Sequence, residues 1–103
     1  MNTVYDFAQQ RKAEKERLKK HDITLLAVNW SDTLPYSQTV QVHGVTTTNI
    51  VFIAPEPAQE NIDTVGNCKI VATEQGANTI TFTAFDTKPD ININFHVLVG
   101  GEG

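Results

Sequence analysis

The stretch Ile91–Val99 constrains the fold more than any other part of this sequence, because its apolar and polar residues alternate almost without a break. Successive side chains of a β-strand leave opposite faces, so this alternation predicts a half-buried strand. Its apolar face consists of Ile91, Ile93, Phe95, Val97 and Val99. Only Leu98 breaks the pattern. The segment Thr79–Phe85 repeats the alternation, and a β core is therefore expected.

Size and cysteine usage limit how the chain can be stabilised. A chain of 103 residues forms one domain and buries roughly two thirds of its unfolded surface. The single cysteine, Cys68, excludes an internal disulfide and a Cys-x-x-Cys motif. No export signal and no membrane-spanning apolar stretch is recognisable, so we expect a soluble protein without an export signal.

Charge is distributed unevenly along the chain. Residues 1–22 carry six Lys/Arg against four Asp/Glu, a net charge of +2. Residues 23–103 carry two lysines against eight carboxylates, a net charge of −6. Nucleic-acid binding requires clustered Lys and Arg, so a β domain this acidic is not expected to bind nucleic acid.

Residues 1–22 predict a charged N-terminal helix. Thr3 can cap a helix that begins at Val4, and Asp6, three residues after Thr3, completes a weak capping box. The segment Phe7–Lys20 contains neither Gly nor Pro. Val4, Phe7 and Leu18 lie near one seam, which polar residues interrupt. Two interpretations stay open: a solvated helix packed on its own domain or a neighbour, or a short parallel bundle in an oligomer.

The segment Ile23–Trp30 predicts the first strand, and it is apolar on both faces. Such a strand is either central or covered by another subunit. Leu26 and Trp30 therefore join the helix residues as candidates for an oligomer interface. The candidate interface residues are Val4, Phe7, Leu18, Leu26 and Trp30.

The rest of the chain predicts five more strands and one short helix. The predicted elements are strands Gln38–Val45 and Asn49–Ala54, a helix from Pro57 to Thr64 with Gly66 as its left-handed cap, strand Cys68–Thr73, a hairpin through Glu74–Ala77 into Thr79–Phe85, and strand Ile91–Val99. The fold class is mainly β, with the N-terminal α-helix followed by a six-stranded antiparallel β-sandwich over residues 23–99. Residues 100–103 are expected to be a disordered tail.

The residues offer little for catalysis. Cys68 alternates with apolar neighbours and reads as a buried structural thiol rather than a nucleophile. His43 and His96 lie on polar strand faces, where a metal site is conceivable but contact with water is the simpler interpretation. Glu56, Glu60 and Asp63 resemble a solvated helix face. We expect no enzyme activity, no catalytic residue, no metal and no cofactor.

One loop could bind a sugar. Trp30 and Tyr36 flank it and could stack on a saccharide ring, with Asp32 and Asn49 as polar contacts. The alternative is that Trp30 plugs the core or a subunit contact, which is the commoner role of a tryptophan at a strand end.

A family resemblance extends over roughly residues 29–99. The residues that carry it are Asn29-Trp30-Ser31, the run from Leu34 to Thr46, Val51 to Pro57, Thr79 to Ala84 and the closing alternating strand. They resemble the small β-domain proteins encoded among tail, baseplate and tail-fibre genes of phages and prophages of Gram-positive bacteria. The resemblance implies a virion component assembled in the host cytoplasm, commonly a homotrimer that contacts other virion proteins. It covers no part of the N-terminal helix and supplies no catalytic residue.

Overall fold

The computed structural model describes residues 18–100 as a mainly β fold with two three-stranded antiparallel sheets and one α-helix. The strands are β1 (Lys19–Leu25), β2 (Tyr36–Gln41), β3 (Val51–Pro55), β4 (Ile70–Gly76), β5 (Thr79–Ala84) and β6 (Ile93–Val99). The helix α1 is Gln59–Cys68, and a 3-10 turn spans Ala27–Asn29. No helix in this part of the chain is long and apolar enough to cross a membrane.

The two sheets share one core. Sheet A has the order β1-β6-β3, and sheet B has the order β2-β5-β4. The alternation in β6 and β5 places their apolar residues inward, except for Leu98, and in the core the rings of Phe82 and Phe95 lie 5.0 Å apart. Six strands are therefore present as predicted, and they are divided equally between the sheets.

Strand β1 begins earlier than predicted. Lys19 pairs with Val99 and Leu25 with Ile93, so Lys19 and Lys20 are strand residues and not the end of a helix. The boundary predicted at residue 22 falls inside β1. The rest of the predicted N-terminal helix, residues 4–17, lies outside the described residues, and the structure gives it no support. The tail prediction for residues 101–103 also lies outside them, whereas Gly100 N donates to Ile50 O over 2.8 Å.

The predicted strand Ile23–Trp30 is wrong beyond Leu25. Two side chains bind the backbone there and end the strand: Asn92 Oδ1 accepts a hydrogen bond from Ala27 N at 2.9 Å, and Gln38 Nε2 donates to Leu26 O at 3.0 Å. The inference of a strand apolar on both faces fails for the same reason, because Leu26 and Trp30 lie outside any strand. Trp30 instead enters the core.

Helix α1 is longer than predicted and ends differently. It begins at Gln59 and continues to Cys68, and Lys69, with φ 53°, adopts the left-handed conformation that was predicted for Gly66. Gly66 lies within the helix, and its carbonyl accepts a hydrogen bond from Lys69 N over 3.3 Å. Cys68 is buried, as predicted, but at the helix end rather than on a strand.

The hairpin and the neighbouring loop also differ from the prediction. Strand β4 continues to Gly76, which pairs with Thr79, so the turn contains only Ala77 and Asn78. Asn78, with φ 59°, adopts the left-handed conformation that such a turn requires. Strand β2 ends at Gln41 rather than Val45, and Asn78 Oδ1 accepts a hydrogen bond from Gly44 N over 2.9 Å.

Candidate interaction surface

The outer face of sheet A consists of three cross-strand rows of side chains. The strand register places Lys20, Leu98 and Phe52 in the first row. Asp22, His96 and Ala54 form the second row, and Thr24 and Asn94 form the third. The first row is apolar on β6 and β3, whereas the third is polar.

Large apolar side chains are exposed at one corner of this face. Phe52 is 58 % exposed, Leu98 36 % and Ile50, which directly precedes β3, 66 %. We call these three residues the apolar patch. Leu98 and Phe52 are direct cross-strand partners. An exposed cluster of large apolar side chains on a small domain often marks a surface that binds another molecule.

The patch is a consequence of strand periodicity. Because Val97 and Val99 are buried in the core, Leu98 between them must point outward. On β3, Val51 and Ile53 pack against the core, so Phe52 also points outward. The two apolar residues thus meet on the outer face.

Strand β3 has an open edge next to the patch. Two hydrogen bonds just beyond its ends, from Gly100 N to Ile50 O and from Glu56 N to Asn94 O, show which residues bond to β6. Hydrogen-bonded and non-hydrogen-bonded pairs alternate in an antiparallel ladder, so the even-numbered residues of β3 bond to β6. Val51 and Ile53 therefore direct their N–H and C=O groups away from the sheet. Within residues 18–100, no strand pairs with β3 on that side.

Asp22 and His96 form a hydrogen-bonded pair beside the patch, in the second row. Asp22 Oδ1 lies 2.7 Å from His96 Nδ1 and 3.8 Å from Lys20 Nζ. The hydrogen bond with His96 lowers the pKa of Asp22 below its ordinary value of 3.8, and Lys20 contributes in the same direction. Both side chains are solvent-accessible, so this pair contributes little to folding.

Of the predicted interface residues, the structure describes Leu18, Leu26 and Trp30, and Trp30 does not lie on the surface. Val4 and Phe7 lie outside the described residues, and Leu18 is half-buried just before β1. Leu26 is exposed after β1, but Trp30 is only 3 % exposed and belongs to the core. The prediction that Trp30 contacts a second subunit conflicts with this burial, because its ring is already covered by its own chain.

The predicted sugar-binding residues are also not brought together. Tyr36 begins β2, whereas Asn49 lies in the loop beyond its other end, so about 20 Å of strand separates them. The Asn49 side chain is engaged in that loop, where its Oδ1 accepts from Thr46 N and its Nδ2 donates to Gly44 O. Asp32 and Tyr36 do lie near one group, Lys88 Nζ, which is 3.8 Å from Asp32 and 5.7 Å from the centre of the Tyr36 ring. The burial of Trp30 removes the main stacking surface from this set.

The described residues contain no group of three or more His, Cys, Asp or Glu side chains placed to hold a metal ion. His43 is exposed, and His96 is paired with Asp22. The Cys68 thiol is buried and lies 3.2 Å from Thr87 Oγ1.

Sequence reasoning missed the apolar patch, although one signal was visible. Leu98 is the single residue that breaks the alternation of the closing strand, and it points outward as an apolar residue on a polar face. Phe52 carried no such signal, because every residue from Ile50 to Ala54 is apolar and the two faces of the strand cannot be told apart from the sequence.

Comparisons of the chain with protein-family models, with curated proteins and with solved structures found no match. A proposal for its function therefore depends on the surface described above.

Proposed function

We propose that this chain is a non-enzymatic structural protein of a phage or prophage virion, a self-associating module of the tail, baseplate or tail fibre. The observation that carries the proposal is the apolar patch of Ile50, Phe52 and Leu98 on sheet A. A side chain of this size has on the order of 200 Å² of surface, so the exposed parts amount to about 300 Å². Patches of this order on small proteins are often functional.

The N-terminal segment is the second part of the proposal. Residues 4–17 are proposed to form a helix that associates through Val4 and Phe7, and Leu18 would continue this seam at the start of the described fold. The resemblance to phage tail proteins favours a homotrimer, in which three such helices would form a short parallel bundle. Other virion proteins are the further partners that the proposal implies.

The alternative, a module that binds a host-surface carbohydrate, has less support. It retains Tyr36 and Asp32 at one end of β2, but its main stacking residue, Trp30, is buried. Binding to a glycan array that is lost in Tyr36→Ala, while the variant keeps its fold, would favour this alternative.

Light scattering of the full chain over a wide concentration range tests the proposal. We expect a molar mass well above the 11.4 kDa of one chain. Phe7→Asp is expected to lower this mass if the N-terminal segment contributes, since a charge on the seam opposes helix association. A molar mass of one chain at all concentrations up to the millimolar range would overturn the proposal.

A further inference from the structure

We propose that the open edge of β3 pairs with the same edge of a second copy, antiparallel and about a two-fold axis at Phe52. The two copies of sheet A would then form one continuous six-stranded sheet. This inference rests on the proposed function, since it identifies where a self-associating chain makes one of its contacts.

The backbone of β3 supports this pairing. Val51 and Ile53 both direct their N–H and C=O groups to the open edge. With Phe52 opposite Phe52 of the second copy, Val51 lies opposite Ile53, and each residue can donate one hydrogen bond and accept one. A shift of the register by two residues towards the C-terminal end would place Pro55, which has no N–H, in the ladder.

The side chains support the same register. Phe52 faces Phe52 of the second copy in a non-hydrogen-bonded pair, where Cα atoms are about 4.5 Å apart and side chains are closest. Aromatic cross-strand pairs are among the more stabilising ones. Since Leu98 lies beside Phe52 in each copy, a row of four apolar side chains would cross the new sheet, with Lys20 at both ends.

The charge pattern favours a second copy as the occupant. The segment Ile50–Pro55 contains no charged residue, so two copies can lie side by side without opposing like charges. The other edge of sheet A, β1, carries Lys19, Lys20 and Asp22, and charged side chains of this kind discourage pairing of an edge strand with another chain.

The edges of sheet B are protected in other ways. Strand β4 carries Glu74 and an irregularity at Thr73 that interrupts a regular ladder. Strand β2 presents polar outward residues, Ser37, Thr39 and Gln41. Among the four strand edges of residues 18–100, only β3 is uncharged, regular and flanked by an exposed aromatic ring.

The expected contact buries little surface and joins two copies. The patches of two copies offer roughly 600 Å² of apolar surface, below the 1,200 Å² or more of a typical stable interface. The contact should therefore be weak, with a dissociation constant in the micromolar range or above. Pairing about a two-fold axis uses the open edge of β3 in both copies, so this contact joins two copies and no more. A three-fold contact through residues 1–17 would be separate from this one.

Cysteine cross-linking of the full chain tests the register. In the proposed pair, the Cα atoms of residue 52 in the two copies are about 4.5 Å apart, which lies within the range of about 4.4–6.8 Å that a disulfide tolerates. The two thiols of Phe52→Cys can therefore form a disulfide. Phe85→Cys is the matched control, because Phe85 is 50 % exposed but lies outside sheet A. The buried Cys68 is present in both variants, so its contribution is the same. Under mild oxidation we expect a peptide pair joined through position 52, at least ten-fold more abundant than the pair joined through position 85.

If oxidation disturbs the fold, sedimentation equilibrium can test the inference without cross-linking. The variants to compare are Phe52→Lys and Phe85→Lys. Phe52→Lys should weaken the two-fold association at least ten-fold, whereas Phe85→Lys should leave it unchanged. If the wild type self-associates but the two lysine variants behave alike and position 52 does not cross-link, the β3 pairing is wrong while the proposed function stands. If the wild type is a single chain at all concentrations, the proposed function itself fails.

Discussion

The outer faces of the two sheets carry different kinds of side chains. On sheet B, threonine hydroxyls bind one another across the strands: Thr39 Oγ1 lies 2.7 Å from Thr81 Oγ1, and Thr73 Oγ1 lies 2.8 Å from Thr83 Oγ1. On sheet A, the cross-strand pair of Phe52 and Leu98 is exposed. Sheet B thus presents paired hydroxyl groups together with the exposed Val71, whereas one corner of sheet A presents two large apolar side chains in direct cross-strand contact.

The difference shows that a shared core does not require similar outer surfaces. Both central strands, β5 and β6, bury alternate apolar residues on the inner side. Their outer residues are free of that constraint and are threonines on β5 but Asn94, His96 and Leu98 on β6. An apolar outer residue adds nothing to the core, and the adjacent exposed pair of Phe52 and Leu98 on sheet A fits the proposed self-association.

The largest expected effect concerns the hydrogen bonds between helix α1 and strand β6 of sheet A. Asn61 is buried, and its side chain bonds to the backbone of Asn94 through both Nδ2 (2.6 Å) and Oδ1 (2.9 Å), where β3 has ended. Asn61→Ala would leave Asn94 N without a partner and would remove one of the two hydrogen bonds to Asn94 O, which also accepts from Glu56 N, so we expect the free energy of unfolding to fall by about 2 kcal/mol. Urea denaturation measures the change. Gln59→Ala, on the exposed side of the same helix, should change it by less than about 0.5 kcal/mol.

The second prediction concerns a variant in which the outer face of sheet A resembles that of sheet B. The double variant Phe52→Thr/Leu98→Thr replaces exposed apolar side chains by residues with good strand propensity. We expect self-association to weaken at least ten-fold, with little change in the free energy of unfolding. Val71→Thr, at an exposed position on sheet B, is the control and should leave association unchanged. Equal association of both variants would remove the distinction between the two faces.

The third prediction concerns the threonine pairs of sheet B. Thr39→Ala should lower the free energy of unfolding by about 0.5 kcal/mol, the usual contribution of an exposed cross-strand pair. A double-mutant cycle with Thr81→Ala isolates the interaction between the two hydroxyls. Additive effects of the two substitutions would mean that the hydroxyl pair, although 2.7 Å apart, contributes nothing.

The smallest expected effect is the pH dependence of the Asp22–His96 pair on sheet A. The lowered pKa of Asp22 means that the folded chain binds this proton less readily than the unfolded chain does. Its stabilisation is therefore fully present above pH 3.8 and is lost as the pH falls through the folded-state pKa. The melting temperature of Asp22→Asn should lie slightly below that of the wild type at pH 6, and the difference should shrink as the pH falls below 3.8. A difference that persists in acid would contradict the assignment.

The core could be predicted from the sequence because its signal is periodic. Alternation in Ile91–Val99 and Thr79–Phe85 identified the two central strands to within two residues and placed the buried faces correctly. Such patterns are local, so they can be recognised without knowing which strands lie next to each other in the fold.

The errors arose where contacts distant in sequence decide the structure. Strand β1 ends at Leu25 because Asn92 and Gln38 bind the backbone that follows, and the sequence near residue 26 does not reveal these partners. Strand β1 likewise begins at Lys19, within a run of good helix formers, because Lys19 and Lys20 pair with Val99 and Leu98. Tertiary pairing overrides helix propensity at these two lysines.

The candidate surface was only half predictable. A self-associating apolar surface was expected, but its expected members included Trp30, which the core covers. The residues that are exposed, Phe52 and Leu98, lie on strands distant in sequence, and only the register of β3 with β6 brings them together.

The most direct test of the account is amide hydrogen exchange in the full chain, measured by NMR at low and high concentration. The informative amides are Val51 and Ile53 on the open edge of β3, and Asp22 and Thr24 on the open edge of β1 serve as the internal comparison. We expect the protection of Val51 and Ile53 to rise with concentration, while that of Asp22 and Thr24 stays constant. If the chain self-associates but both edges exchange equally at every concentration, sheet A does not associate through β3 and the central claim is wrong.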